Sequence, residues 1–174
     1  MNDPAADPAI RVVLCDDVSE MRKLLRYALE TDPRMQVVGE ATDGREGARM
    51  IAELQPDVAL LDLSMPHMDG LETIPQILSA APGTRIIVFS GFSAERMREP
   101  ALENGADLYI EKGLPLDDVI TAVRDLAGAP RGDGPGDAGP GGGDRDDGLL
   151  GMWLERVRRA LVPSRAALRA QPAL

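Results

Sequence analysis

From Ile10 onward, short apolar runs alternate with longer stretches in which apolar residues recur every three to four positions. These are the periods of buried strand and amphipathic helix. "IRVVLC" (10–15) precedes "SEMRKLLRYALE", where Met21, Leu24, Leu25, Ala28 and Leu29 share one helical face and Ser19 stands as a cap. "MQVVGEA" precedes "DGREGARMIAEL", with Ala48, Ile51, Ala52 and Leu54 as its inner stripe. "DVALLD" precedes "GLETIPQILSA", "TRIIVFS" precedes "SAERMREPALENG", and "DLYIEK" precedes "PLDDVITAVRDLAG", making five βα units in a row. Runs such as "VALL" and "IIVF" are apolar throughout, as expected of strands covered on both faces of a parallel sheet. Strict alternation therefore implies an α/β layer fold with right-handed crossovers. Five units within residues 9–128 suit an open doubly wound sheet, since an eight-fold barrel takes roughly 250 residues. Pro75 and Pro100 fall inside predicted helices and are expected to kink or shorten them.

After Ala127 the pattern stops. "GAPRGDGPGDAGPGGGDRDDG" holds no apolar residue larger than Ala, so residues 129–148 are expected to be a disordered, flexible linker. Helical period returns in "LLGMWLERVRRALV": Leu149, Leu150, Trp153, Leu154, Val157, Ala160 and Leu161 cover one arc, and Glu155, Arg156, Arg158 and Arg159 lie outside it. Pro163 ends this amphipathic helix of a tail spanning residues 149–174. The 174 residues thus read as one globular unit with appendages.

Charge separates the same three parts. Residues 1–128 carry 12 basic and 23 acidic side chains, a balance of −11, against −3 for the linker and +4 for the tail. An acidic main body argues against a nucleic-acid backbone as partner. Cys15 has no second cysteine to bridge, "MNDPAADPAI" lacks the basic start and apolar run of a signal peptide, and no window reaches a membrane span, so the expectation is a cytoplasmic protein.

The chemistry follows from the topology. In an open α/β sheet, ligands bind outside the carboxyl ends of the strands. Polar residues that end the apolar runs therefore reach one rim: Asp16 and Asp17 after the first, Asp62 after the third, Ser90 after the fourth and Lys112 after the fifth. Three crowded carboxylates call for a hard cation, and Mg²⁺ suits carboxylate oxygens supplemented by water and phosphate. Zinc does not fit, because His67 and Cys15 have no partners at a metal-binding spacing. The set is what phosphoryl transfer to a carboxylate requires: Asp62 as nucleophile, Mg²⁺ and Lys112 neutralising the transferred group, and Ser90 donating a hydrogen bond. Of the 19 basic residues 17 are Arg, so Lys112, one of two lysines, stands apart.

"LCDDVSEMRKLL", "LLDLSMPHMDGLE", "IIVFSG" and "ADLYIEKG", in this order, resemble the motifs of the two-component response regulator receiver domain over about residues 9–128. The resemblance implies a flavodoxin-like five-stranded sheet of order 2-1-3-4-5 with flanking helices. It implies that Asp62 is the phospho-acceptor, Asp17 a direct Mg²⁺ ligand, and Asp16 a pocket partner acting partly through water. Ser64 would lend a backbone carbonyl to the metal, Ser90 would be the switch hydroxyl, Tyr109 the switch aromatic and Lys112 the phosphate-pairing lysine. Gly113 departs from the pattern, which has proline there, often after a cis peptide. Gly91 stands where a small residue such as alanine is common and should leave the pocket open.

Simpler roles stand beside these. Ser90 alone could be a helix cap and Tyr109 a static aromatic. His67, in the turn "MPHMDG", reads as exposed rather than as a phosphate carrier, Cys15 as a small core residue, and the linker glycines as no phosphate loop. A receiver of this kind would be no enzyme beyond hydrolysing its own acyl phosphate. It would take phosphate from a sensor histidine kinase, phosphotransfer protein or small donor, and act on an output protein through the face of the fourth helix, fifth strand and fifth helix. One helix after the linker is too little for a DNA-reading module. The alternatives are a phosphorylation-independent binding module, peripheral membrane or partner contact through residues 149–162, autoinhibition by the basic tail, or transcriptional control through a separate DNA-binding partner.

Overall fold

The computed structural model describes residues 9–66 and 70–129. The elements are β1 (Ile10–Cys15), α1 (Ser19–Leu29), β2 (Met35–Ala41), α2 (Gly44–Leu54), β3 (Val58–Leu61), α3 (Gly70–Ala80), β4 (Arg85–Ser90), α4 (Ala94–Glu103), β5 (Leu108–Glu111) and α5 (Leu116–Gly128). All strand pairs are parallel, in the order β2-β1-β3-β4-β5. The sheet is flavodoxin-like, as the motif order implied. The linker and tail expected beyond Ala129, and His67, lie outside the described residues.

The central strand β3 is apolar and buried along its whole length, and β1 and β4 are buried over most of theirs, because both faces of the sheet are covered. Leu25, Leu29, Val119, Val123 and Leu126 bring α1 and α5 against one face, and Ile51, Ile74, Ile77 and Ala101 bring α2, α3 and α4 against the other. The inner face of α2 is narrower than its sequence suggests. Gly44, Gly47 and Ile51 are buried, whereas Ala48, Ala52 and Leu54 are half-buried, since Gly47 lets the helix lie close to Cys15 on β1. In α1, Leu24 is 46% exposed rather than internal. Ser19 is not the cap: Val18 takes that position, and the Ser19 hydroxyl donates to Glu20 Oε2 at 2.9 Å. The loop's free amide is satisfied instead by Asp16, whose Oδ1 accepts from Val18 N at 2.8 Å. Neither Pro75 nor Pro100 ends its helix; each lies within it, α3 having 11 residues in all and α4 having 10.

One irregularity positions the site. Val12 pairs with Val37 but Val13 pairs with Gly39, so Val38 is an extra residue on β2. A one-residue slip exchanges the faces to which side chains point. Beyond the bulge, Ala41 joins the cluster under α2 and Glu40 faces α1, where it meets Arg22 and Arg26.

Candidate functional site

Parallel strands put their carboxyl ends along one edge, and the two central ones are in step: Cys15 on β1 stands beside Leu61 on β3. Asp16 and Asp62 are the next residue of each. Their backbones continue the ladder, Asp62 N donating to Cys15 O at 2.8 Å and Asp16 N to Ala41 O at 3.1 Å. Both side chains are buried, while Asp17 is exposed at the mouth. One oxygen from each of Asp16, Asp17 and Asp62 lies within 4.8 Å of the others. The sequence brought these three to one rim, and the structure brings them to one point.

Lys112 arrives from the end of β5, its amide donating to Ser90 O at 2.7 Å. Its ammonium stands 2.7 Å from Asp62 Oδ2 and 2.7 Å from Asp16 Oδ2. Burial works against that charge, yet the Asp16 and Asp62 carboxylates beside it outweigh burial, and the ammonium is held above its ordinary range. The outer oxygens are used by the backbone, Val18 N on Asp16 Oδ1 and Ser64 N on Asp62 Oδ1 at 3.1 Å. Asp16 Oδ2 is buried and, although Lys112 is close, no donor among the described residues meets it with hydrogen-bond geometry. A buried carboxylate oxygen without a directed donor, in an all-carboxylate cluster, fits a hard divalent cation such as Mg²⁺.

Ser90 and Tyr109 meet at one residue of the neighbouring loop. Phe92 N donates to Ser90 Oγ at 3.4 Å, and the Tyr109 hydroxyl donates to Phe92 O at 2.8 Å. Ser90 is fully buried and Tyr109 nearly so. Burial raises the Tyr109 phenol above its usual range, against a lowering contribution from Ser90. No atom lies within 4 Å of a Cβ built on Gly91, so the loop beside Ser90 is open. Glu111 accepts from Ala94 N and ties β5 to the start of α4.

Gly113 is more than a missing proline. Its φ is +113°, a conformation closed to proline, whose ring locks φ near −65°. The described peptide bonds are all trans. Cys15 is buried against α2, its thiol pushed up to about 12 by burial and by Glu46, Asp16 and Asp43, in keeping with a core role.

Two residues escaped the sequence reading. Arg22 Nη1 donates to the Asp16 carbonyl at 2.6 Å while its Nε donates to Glu40 Oε2 at 3.1 Å. A signal existed: Arg22 sits three and seven residues before the buried Leu25 and Leu29, placing a guanidinium on the inward side of α1.

Comparison with known proteins gives one family. Residues 12–124 match the family model described as the response regulator receiver domain. The transcriptional regulatory protein LiaR of Bacillus subtilis is 41% identical over 115 residues, 66% of this chain and 54% of LiaR. A protein-glutamate methylesterase/protein-glutamine glutaminase of Koribacter versatilis is 40% identical over 132 residues, 70% of this chain and 36% of that protein. The receiver domain of the response regulator NarL from Mycobacterium tuberculosis superposes with a TM-score of 0.67 at 34% identity, covering 70% of this chain and 98% of that one. The chain spans about half the length of the transcriptional regulators it matches.

Proposed function

The chain belongs to the response regulator receiver family, and from that premise we propose that Asp62 accepts a phosphoryl group in an Mg²⁺-dependent reaction that switches a protein-interaction surface. The observation that supports this most is the Lys112 ammonium, 2.7 Å from Asp62 within a cluster of three carboxylates. Receiver domains work with histidine kinases or phosphotransfer proteins, and a phosphohistidine of such a partner is the donor in this reading.

Asp62 supplies the oxygen that bonds to phosphorus as the donor's nitrogen–phosphorus bond breaks, and the imidazole leaves with the bonding electrons and takes up a proton. Asp16, Asp17, Asp62 and the Ser64 carbonyl would hold Mg²⁺, which supplies neutralisation of charge on the transferred group. Lys112 moves its attraction from the Asp62 oxygen to a phosphoryl oxygen, and Ser90 donates its hydroxyl to another. Water admitted at the open side of Gly91 returns the site to its starting state, the slow hydrolysis expected of an acyl phosphate. Because Ser90 and Tyr109 hold the two backbone groups of Phe92, a shift in either is passed to the α4–β5–α5 face.

No helix among the described residues is long and apolar enough to cross a membrane. The reading places the protein in the cytoplasm, with a receiver at 9–128, a linker at 129–148 and an amphipathic tail at 149–174. That LiaR is a transcriptional regulatory protein favours a second output reading, control of transcription through a DNA-binding partner.

Intact-protein mass after incubation with acetyl phosphate and Mg²⁺ tests the input chemistry. The parent should gain a labile phosphoryl adduct that Asp62→Ala and EDTA both abolish; no adduct on the parent, or an unchanged one on the variant, refutes it.

A further inference from the structure

Asp16 is held at its amide, its side chain and its carbonyl. Its amide is bound by Ala41 O, its Oδ1 by Val18 N, and its carbonyl by the Arg22 guanidinium at 2.6 Å. The first two are contacts within the sheet edge and its own turn. The third comes from a side chain one helical turn away that the proposed phosphoryl chemistry does not use.

Making that bond costs Arg22 conformational freedom, since a long side chain has many rotamers to lose. Glu40 removes that freedom by taking the Nε at 3.1 Å, so the planar fork spans Glu40 and the Asp16 carbonyl at once. Glu40 is itself braced by Arg26 Nε at 2.7 Å. It faces α1 only because the extra residue Val38 reverses the pleat of β2; in an unbroken register the side chain would point under α2. The Arg22 and Glu40 side chains are 13% and 28% exposed, so the pair is shielded from much of the solvent.

We propose that Arg22, oriented by Glu40, is a positioning residue that pins the Asp16–Asp17 turn and thereby sets the affinity of the three-carboxylate cluster for a divalent cation. The inference rests on the reading of that cluster as an Mg²⁺ site. Mg²⁺ tolerates little departure from octahedral geometry, so a turn that must be ordered on binding weakens it. Groups that hold metal ligands in place typically alter affinity about 10–100-fold when removed.

Mg²⁺ itself, titrated into the full chain by calorimetry and followed at backbone amides by NMR, is the test. Arg22→Ala should weaken binding by about tenfold or more. Arg22→Lys, which can reach the carbonyl or Glu40 but not both, should recover part of the loss, and Glu40→Gln should fall between parent and Arg22→Ala. In the Arg22→Ala background Glu40→Gln should add nothing, because the two act through one contact. Urea midpoints in EDTA separate lost folding from lost positioning. If Arg22→Ala does not fold, Glu40→Gln decides. Parental affinity in the folded Arg22→Ala, or in Glu40→Gln, overturns the inference and leaves the pocket reading standing. Failure of the parent to bind Mg²⁺ overturns the pocket reading and the inference with it.

Discussion

The Lys112 ammonium lies 2.7 Å from Asp62 Oδ2, so the proposed nucleophile is neutralised by a cation of the chain before any phosphoryl group arrives. The same ammonium faces Asp16 at 2.7 Å, which makes it the counter-charge for two buried carboxylates. Lys112→Met should therefore be about 3 kcal/mol less stable than the parent in EDTA, since it leaves buried charge uncompensated. Mg²⁺ should restore more stability to the variant than it adds to the parent, because the metal no longer competes with the lysine. Urea unfolding with and without Mg²⁺ measures both; equal stability in EDTA would show that the pair contributes nothing.

Gly113 allows a separation of backbone from packing. A Cβ there meets no atom within 4 Å, so Gly113→Ala introduces only the cost of a positive φ, about 1–2 kcal/mol. Gly113→Pro cannot adopt that φ at all and should lose more stability and slow phosphorylation by displacing Lys112. Denaturation midpoints and acetyl phosphate labelling follow the two effects, and a proline variant that labels at the parental rate would detach Gly113 from the presentation of Lys112.

Cys15 and Gly47 form a close pair. A Cβ on Gly47 would stand 2.7 Å from Cys15 Sγ, and the helix would have to move. Gly47→Ala should cost about 1–3 kcal/mol from overpacking, partly offset by alanine's better helix propensity. Cys15→Ala should rescue part of that loss, a coupling that a double-mutant cycle reads directly. In the parent, with the thiol pushed up to about 12, Cys15 should resist thiol reagents at neutral pH until denaturant is added.

Asp32 joins α5 to the turn after α1 through Arg124 at 2.7 Å and is bonded by the side chain and amide of Arg34. Hydrogen bonds from Arg34, then Arg124, hold its carboxyl well below the usual range. A lowered folded-state value means that the contribution is complete above the unfolded value near 4 and declines as pH falls toward the folded one. The stability gap between parent and Asp32→Asn should thus be constant from pH 7 to about 5 and shrink at lower pH. Urea midpoints across pH 7 to about 2 check this; a gap that widens on acidification would reverse the assignment.

The fold was legible because β1, β3, β4 and β5 each carry an apolar run of three or more residues, and the rim residues were legible because polar residues follow those runs at the strand ends. "VALLD" states both at once: four buried positions and then Asp62. Contacts that depend on register were not legible. Strict alternation along "MQVVGEA" places Glu40 with Val38, whereas the bulge makes it a neighbour of α1. Ser19 was a plausible cap by residue type, but the Asp16 carboxylate, two residues before Val18, reaches the free amide first. Leu24 fits the apolar period of α1 yet stays in solvent, since periodicity fixes a stripe but not its width.

Asp16 and Asp62 extend two strands that are directly hydrogen-bonded, Cys15 beside Leu61. The separation of their backbones is therefore a lattice spacing of β-structure, about 4.8 Å, and owes nothing to how side chains happen to pack. Helices, loops and surface could all diverge around this pair and the two acids would still face each other across one strand step. The distance is inherited from the peptide group, and only the tuning of the site is left to the residues around it.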